Sequence, residues 1–193
     1  NHATTVFYGD ELITNGDAGA GTEPTYTDGD GTVIVPATSS GGTDGGYQTN
    51  WARDTSTTVG GRTIIWKVIH DGGDSDMFPR WYLNADGNVT GRSFSVSVDV
   101  YLPSAENVSA GILRFTDGDG ATTIESTTTQ DSWITLNGTF TVTGTGDQFD
   151  IQFTCVDTEF AWIDNLSLKE IGVASGWTTA DAEPLIPQTA LMG

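Results

Sequence analysis

The residues that most clearly suggest chemistry are Asp164 and Asn165, in the segment WIDNLSLKEI at residues 162–171. They interrupt a run in which apolar residues otherwise alternate, and an unpaired carboxylate in a core strand is costly. A carboxylate at such a point has three possible explanations: it forms a turn, it lies on the surface without a specific role, or it is a metal ligand. As a ligand it would suit Ca²⁺, which binds oxygen atoms of carboxylates, amides and backbone carbonyls.

Other segments also offer closely spaced oxygen atoms: NGDAG around Asp17, two DGDG turns at 28–31 and 117–120, and HDGGDSD at 70–76. Neither DGDG opens the roughly 12-residue loop with a closing Glu that an EF-hand needs, so hairpin turns are favoured there. HDGGDSD is a better candidate for a weak surface ion. Asp164 stands apart from all of them because it interrupts a strand.

The sequence lacks the common catalytic motifs. It contains no G-x-S-x-G turn, no H-E-x-x-H and no phosphate-binding loop with Lys, and no motif places a partner for His70 in a triad. A carboxylate pair for glycoside hydrolysis stays open, but most acidic residues lie in glycine-rich turns, where solvated side chains are expected. We therefore predict that the chain is not an enzyme.

The composition is strongly acidic. The 193 residues include 26 Asp and Glu against 7 Lys and Arg, which gives a formal net charge of −19. Such a surface repels phosphate backbones and anionic lipids, so nucleic-acid and membrane-surface binding are disfavoured. An origin in salty water would explain the same composition. The chain begins at Asn1 without an initiator Met, so we expect a processed product or a piece of a longer protein.

Period-two alternation is the strongest structural signal, and it predicts strands with one buried and one solvated face. It is clearest in SFSVSVDVYL at 93–102, WITLNGTFTV at 133–142 and QFDIQFTC at 148–155. Weaker strands are predicted at 11–15, 32–36, 47–52, 62–70, 80–84, 108–115, 121–126 and 160–168. Asp-Gly and Asn-Gly turns separate them, and no segment has the pattern of an amphipathic helix.

These patterns predict an all-β fold of about nine or ten strands with almost no helix, in a two-sheet antiparallel β-sandwich of the jelly-roll type. Within it, the phase of 148–155 makes Cys155 a buried small hydrophobic residue, not a nucleophile. We predict an irregular lead-in at 1–10, one domain at 11–171 and a linker or docking tail at 172–193.

Five segments in this order and spacing carry a resemblance to a known family: ELITNGDAGAGT at 11–22, GGY at 45–47, GRSFSVSVDVYLPS at 91–104, SWITLNGTFTVTG at 132–144 and FAWIDNLSLKEI at 160–171. Together they resemble the calcium-containing jelly-roll carbohydrate-binding modules appended to xylanases and glucanases. The tail from 175 also resembles segments of large virion proteins of marine bacteriophages, over a shorter stretch.

The resemblance implies that the first and last strands are neighbours and hold one structural calcium. It implies that Asp164 is a side-chain ligand and that the segment around Asp17 contributes further oxygen atoms. Ala18 and Gly19 stand where the family has Phe and Glu, so a carboxylate usual in that family is missing from this segment.

Sugar binding needs exposed aromatic rings, because the C–H face of a pyranose stacks on a flat π surface. Trp81 and Tyr82 are adjacent, so in an extended strand at most one of them faces the core. Tyr101 shares the solvated face of its strand, and Trp51 lies where the resembling family has binding-site strands. For Trp66 and Trp133 packing is the preferred role. The predicted sugar-binding residues are Trp51, Trp81, Tyr82 and Tyr101.

We therefore predict a noncatalytic carbohydrate-binding module with a structural Ca²⁺ held by Asp17 and Asp164. Its expected partner is a polysaccharide or cell-surface glycan, and its expected location is an extracellular or virion protein of a marine microbe or bacteriophage. The alternative is a purely structural spacer or decoration domain of a virion or surface assembly, in which the aromatic residues only pack.

Overall fold

A computed structural model describes residues 6, 8–28, 31–36, 49–70, 76–83, 89–155 and 158–172. The predicted tail at 172–193, apart from Gly172, and most of the HDGGDSD segment lie outside the described residues. The described part contains no helix and fourteen strands. These are β1 (Tyr8–Glu11), β2 (Ile13–Thr14), β3 (Thr25–Thr27), β4 (Val33–Ile34), β5 (Thr49–Asp54), β6 (Ile65–His70), β7 (Asp76–Met77), β8 (Arg80–Tyr82), β9 (Ser93–Tyr101), β10 (Ala110–Asp117), β11 (Gly120–Thr127), β12 (Trp133–Thr141), β13 (Gln148–Thr154) and β14 (Phe160–Ile171).

The strands form two main sheets and one small sheet. The six-stranded sheet has the order β12-β9-β14-β6-β5, with β1 also paired to β14. The five-stranded sheet has the order β11-β10-β13-β7, with β8 also paired to β13, and β2-β3-β4 form a third sheet. All pairings of these strands are antiparallel. The predicted all-β sandwich is confirmed, while β3 and β7 were not predicted because such short strands show no alternation.

The hydrophobic core lies between the two main sheets. The apolar phase of β9 is buried, as are the facing residues of β10 and β13, and the core-facing residues of these three strands are Phe94, Val96, Val98, Val100, Leu113, Phe115, Phe149, Ile151 and Phe153. Phe140 of β12 stacks on Phe115 across the core at a centroid distance of 4.7 Å. The alternation of 93–102, 133–142 and 148–155 thus predicted the buried side of each strand correctly.

The first and last strands are neighbours, as the family resemblance implied. Strand β1 pairs antiparallel with β14, with Tyr8 opposite Ile171 and Glu11 opposite Lys169. This strand begins inside the segment predicted as an irregular lead-in. Its own residues show no clear alternation, so the pairing with β14, and not the local pattern, makes it a strand.

A β-bulge explains the interruption at Asp164 and Asn165. The pairing of β14 with β9 shifts between Asp164 and Ser167, and Asn165 has a φ of +51°, a left-handed value that Asn adopts more readily than most residues. The extra residue reverses which side chains face outward. As a result Trp162 and Asp164 share one face with Ser167, while Leu166 and Leu168 reach the core.

Cys155 is buried with a free thiol, and burial is the main cause that raises its pKa to about 11. A thiol with so high a pKa forms little thiolate, the nucleophilic species, at neutral pH. The prediction of a buried, unreactive Cys155 is therefore confirmed. The described residues include no helix that is long and apolar enough to cross a membrane.

Candidate functional site

The candidate site lies on the side of the six-stranded sheet that faces away from the core, which we call the outer face. Its residues form rows across β12, β9 and β14, because partners in register point to the same side. From one end to the other the rows are Trp133, Tyr101 and Trp162; Thr135, Asp99 and Asp164; Asn137, Ser97 and Ser167; and Thr139, Ser95 and Lys169. The outer face is thus aromatic at one end and rich in hydroxyl groups at the other.

The aromatic end is a tightly connected group of rings, which we call the aromatic cluster: Tyr101, Trp133, Phe160 and Trp162. The ring centroids of Tyr101 and Trp133 are 5.4 Å apart, those of Tyr101 and Trp162 5.7 Å, and those of Phe160 and Trp162 4.8 Å. Trp162 is buried, whereas the other three rings are half-buried and keep part of their surface exposed. Edge-to-face and tilted contacts hold the rings in place, so little entropy is lost when a ligand stacks on them.

Residues 55–64, which connect β5 and β6, fold over the aromatic cluster. The indole Nε1–H of Trp133 donates a 2.8 Å hydrogen bond to the Val59 carbonyl, and a two-way backbone bridge joins Val59 to Arg62. Gly60 has a φ of +53°, and a Cβ built on it would lie 2.6 Å from the Trp133 ring. A glycine is therefore needed where this connection passes over the ring.

One guanidinium group holds the two carboxylates of the second row. Arg62 Nη1 lies 2.8 Å from Asp99 Oδ2 and 2.8 Å from Asp164 Oδ2, and its guanidinium carbon lies 4.4 Å from the centroid of the Trp133 ring. Asn165 Nδ2 donates to Asp99 Oδ2 at 2.8 Å, and Thr135 Oγ1 donates to Asp99 Oδ1 at 2.5 Å. Asp99 and Asp164 face the same side of adjacent strands, so the cation offsets their mutual repulsion.

The protonation of this network follows from its contacts. Burial acts to raise the pKa of Asp99, but hydrogen bonds from Thr135, Asn165 and Arg62 outweigh it and leave the pKa lowered. For Arg62, burial acts to lower the pKa, and the hydrogen bonds to Asp99 and Asp164 raise it overall. The Asp99 side chain is therefore ionised at neutral pH, and both of its oxygens are engaged, Oδ1 by Thr135 and Oδ2 by Asn165 and Arg62.

The two residues predicted to bind calcium face different surroundings. Both oxygens of the Asp164 carboxylate are engaged, Oδ2 by Arg62 and Oδ1 by the backbone N–H of Asn165 at 2.9 Å. Asp17 is exposed, and its Oδ1 accepts a hydrogen bond from the N–H of Gly19 at 3.1 Å. Asp17 instead lines a separate cavity of about 370 Å³ between the first segment and β14, together with Glu11, Ile13, Asn15, Gly16, Asn165, Leu166 and Ser167.

This cavity fits a cation only in part. Its lining offers carboxylate, amide and hydroxyl oxygens, the ligands that Ca²⁺ prefers. Yet the described part of the chain brings together no group of three or more Asp, Glu, His or Cys side chains that could hold a metal ion. The Asp164 side chain does not fit a shared site with Asp17, because Arg62 already neutralises it. The calcium stays a prediction, and the Asp17 cavity is the place to test it.

The predicted sugar-binding rings divide among three environments. Tyr101 belongs to the aromatic cluster on the outer face. Trp81 has 0% of its surface exposed, stacks on Phe149 at 4.8 Å and donates from Nε1 to the Pro24 carbonyl. We therefore do not retain Trp81 as a sugar-binding ring, because a fully buried ring offers a sugar no surface.

Tyr82 and Trp51 lie away from the aromatic cluster. Tyr82 is 38% exposed on β8, in the five-stranded sheet, so only one residue of the adjacent Trp81–Tyr82 pair faces the core, as predicted. Trp51 is half-buried and packs against the core in edge-to-face contacts, with centroids 5.9 Å from both Trp66 and Trp81. Its Nε1 is buried and has no hydrogen-bond partner among the described residues.

Sequence reasoning did not include Trp133, Trp162 and Arg62 in the site. The phase of β12 places Trp133 opposite the buried Leu136, which already indicates the solvated side, although packing was the preferred role. Trp162 has the phase of Asp164, so the same alternation could have found it. No sequence signal indicated Arg62, because its contacts reach Asp99 and Asp164 across 37 and 102 positions of the chain.

Comparisons with known proteins give similarity of fold. No protein-family model matches the sequence, and no curated protein sequence matches it. The CBM22-1 xylan-binding domain from Paenibacillus barcinonensis Xyn10C is similar with a TM-score of 0.48 and 12% identity, over 69% of this chain and 91% of that one. The C-terminal family 22 carbohydrate-binding module of Clostridium thermocellum Xyn10B follows with a TM-score of 0.46 and 16% identity, over 65% and 83%.

A phage protein also has a similar fold. The enzymatically active domain of tailspike protein 4 from bacteriophage CBA120 has a TM-score of 0.41 and 9% identity, over 82% of this chain and 21% of that one. Carbohydrate-binding modules and a phage tailspike domain are therefore both among the solved structures with similar folds. The values describe the arrangement of sheets and give no information on the ligand of this chain.

Proposed function

We propose that this chain is a noncatalytic carbohydrate-binding module that binds glycans with the aromatic end of its outer face. The observation that carries the proposal is the aromatic cluster itself. Its three half-buried rings, those of Tyr101, Trp133 and Phe160, are held by ring contacts, and the neighbouring row of the outer face carries the polar side chains of Thr135 and Asp99. Rings that stack on a sugar, next to polar groups that fix its hydroxyls, are what a sugar site requires.

A binding role explains the carboxylates better than a catalytic one. Glycoside hydrolysis needs one carboxyl group with a raised pKa to act as the general acid. In the pair on the outer face, the pKa of Asp99 is lowered and both carboxylates contact the same Arg62 nitrogen. A carboxyl group with a lowered pKa is unsuited to act as the general acid, and the pair instead holds Arg62 against the outer face.

The proposed setting is an extracellular or virion protein that the module attaches to surface glycans. The net charge of −19 supports it, since an acidic surface keeps a protein dispersed in salty water. The resemblance of the tail to virion proteins of marine bacteriophages supports it further. Other domains of the same protein are then the expected neighbours of this chain.

Substitution of single rings tests the glycan site. We expect Tyr101→Ala to weaken binding about tenfold, because one lost stacking contact contributes on the order of 1.4 kcal/mol. Trp133→Phe, which keeps a ring but not the indole N–H, should weaken binding less. Affinity electrophoresis in gels containing neutral polysaccharides, with xylan and β-glucan among them, measures the change. Tyr82→Ala is the matched control, because it removes the same type of ring, in a more exposed position, from the other sheet.

One observation favours the structural alternative. Val59, Gly60 and Arg62 pack on Trp133, so part of the aromatic cluster already serves to hold residues 55–64. If no polysaccharide retards the folded protein, the spacer or decoration domain becomes the better description. If Tyr82→Ala abolishes retardation and Tyr101→Ala does not, the glycan site lies on the five-stranded sheet.

A structural calcium is part of the same proposal, placed at the cavity that Asp17 lines. An ion bound only by the folded state stabilises it by mass action, so we expect EDTA to lower the Tm measured in calcium buffer. Asp17→Ala should remove this response. Asp119→Ala, which removes an exposed carboxylate from a DGDG turn, is the control. An unchanged Tm on chelation would show that no calcium stabilises the fold.

A further inference from the structure

We propose a second site on the outer face, which binds the carboxylate or sulfate group of an acidic sugar. It is a cavity of about 250 Å³ at the hydroxyl-rich end, lined by Tyr8, Ser95, Ser97, Ser167 and Lys169. Its distance from the aromatic cluster is roughly 14 Å along β9, from Ser97 to Tyr101. The inference rests on the proposed function, because it extends the glycan along the same face and names its chemical class.

The cation in this cavity is free. Six of the seven Lys and Arg residues contact a carboxylate, an aromatic ring or a backbone carbonyl, namely Arg53, Arg62, Lys67, Arg80, Arg92 and Arg114. Lys169 makes no hydrogen bond, ion pair or ring contact with any described residue, although the chain has 26 acidic residues. The ammonium group of a half-buried lysine that contacts no anion is suited to receive one from a ligand.

The acidic residue that pairs with Lys169 in the sheet is held by other donors. Glu11 lies directly opposite Lys169 in the pairing of β1 with β14. Its Oε1 accepts hydrogen bonds from the N–H groups of Ile13 at 3.0 Å and Leu168 at 2.8 Å, and its Oε2 accepts one from the Ser167 hydroxyl. Three donors therefore hold the carboxylate of Glu11, so a ligand anion need not displace it from Lys169.

The rest of the cavity suits a sugar. The hydroxyl groups of Ser95 and Ser97 have no partner among the described residues, and each can donate to an anionic oxygen or to a sugar hydroxyl. Tyr8 is 52% exposed at the edge of the cavity and offers a ring for stacking. A carboxylate or sulfate on Lys169 would thus have hydroxyl donors beside it and an aromatic ring next to it.

The net charge of −19 does not prevent this local contact. Long-range repulsion between the protein and a polyanion is screened beyond about 8 Å at 0.15 M ionic strength, whereas a direct ammonium–anion contact is screened much less. Binding should therefore be measured at 0.15 M NaCl or above. At low salt the overall repulsion would oppose the local attraction.

The test is affinity electrophoresis of the full chain in gels containing polygalacturonate or dextran sulfate, with methyl-esterified polygalacturonate and dextran as the neutral counterparts. We expect at least one acidic polymer to retard the protein more than its neutral counterpart does. Lys169→Gln should reduce that retardation about tenfold in affinity, and Ser97→Ala should reduce it less. Lys67→Gln is the matched control, because it removes the other lysine of the chain from the same face; since Lys67 lies on the Phe160 ring, it should change the affinity for the acidic polymer and for the neutral counterpart by the same factor.

The outcomes separate this inference from the proposed function. Retardation by polygalacturonate alone indicates a uronic acid, and retardation by dextran sulfate alone indicates a sulfated sugar. The inference is overturned if neither acidic polymer is preferred, or if Lys169→Gln, like Lys67→Gln, changes the affinity for the acidic polymer and for the neutral counterpart by the same factor. Neutral polysaccharide that is bound through Tyr101 and unaffected by Lys169→Gln would leave the proposed function in place and remove only the acidic site.

Discussion

We expect Gly16→Ala to lower the free energy of unfolding by about 3 kcal/mol, because overpacking typically costs 1–3 and lost hydrogen bonds add to it. A Cβ at residue 16 would lie 1.9 Å from the Leu166 carbonyl oxygen and 2.9 Å from its carbon, so a backbone segment must move. That movement disturbs the 3.1 Å hydrogen bond from the Leu166 N–H to the Gly16 carbonyl. It also disturbs the bond from Trp66 Nε1 to the Asn15 carbonyl, at 2.9 Å.

Thermal unfolding measures this effect. For a chain of this size, 3 kcal/mol corresponds to a Tm lower by roughly 6–12 °C. Gly21→Ala in the same glycine-rich segment is the control, because a Cβ there meets no atom within 4 Å. Its Tm should stay close to that of the wild type. Equal Tm values for the two variants would show that residues 15–17 do not pack closely against the bulge of β14.

Arg62→Ala should be the second most damaging change, with a loss of about 2 kcal/mol. Removing one partner of a fully buried ion pair costs about 3–5 kcal/mol, and the 31% exposure of the Arg62 side chain reduces this through solvent screening. The variant leaves Asp99 and Asp164 side by side on adjacent strands without their cation. It also uncovers the Trp133 ring, so residues 55–64 should become more mobile.

The pH dependence of the Arg62→Ala effect identifies its cause. Because the pKa of Asp99 is lowered in the folded state, its ionised side chain stabilises the fold at pH values above the ordinary pKa of a carboxyl group. This stability is lost as the pH falls through the folded-state pKa of Asp99. In Arg62→Ala the pKa of Asp99 should rise, so acid removes repulsion from the variant while it removes an attraction from the wild type. The difference in Tm should therefore shrink between pH 7 and pH 3.

A control and a contrary result complete this test. Lys67→Ala removes a cation that lies 3.5 Å from the Phe160 ring on the same face, and it should cost less at pH 7. If the difference between wild type and Arg62→Ala is the same at pH 7 and pH 3, lost packing on Trp133 is responsible. The ion pair would then contribute nothing measurable.

The sequence predicted the fold well where local alternation is strong. β9 was expected at 93–102 and spans Ser93–Tyr101, and β13 was expected at 148–155 and spans Gln148–Thr154. It predicted poorly where pairing decides the conformation. β1 is a strand because β14 lies beside it, and next to the bulge at Asn165 the Leu166 N–H donates to the carbonyl of the distant Gly16. Neither cause is visible in the local residues.

The candidate site was predicted only in part for a similar reason. The phase of β9 placed Tyr101 on the solvated side correctly, because that depends on alternation alone. The role of Asp164 depended on which distant group its carboxylate meets. The sequence suggested an ion shared with Asp17, whereas the structure places the Arg62 guanidinium on it. Contacts across a hundred positions of the chain come from the sheet order, which alternation does not specify.

The most direct test of the glycan site is a titration followed through the ¹⁵N–¹H signals of the tryptophan indole groups. The titrant is an oligosaccharide prepared from a polysaccharide that retards the protein in affinity electrophoresis. We predict that the Nε1–H signals of Trp133 and Trp162 shift on binding, because both belong to the aromatic cluster. The signals of Trp66 and Trp81, which are buried in the core, should stay unchanged. Saturable binding that leaves the Trp133 and Trp162 signals unmoved would contradict the outer face as the site.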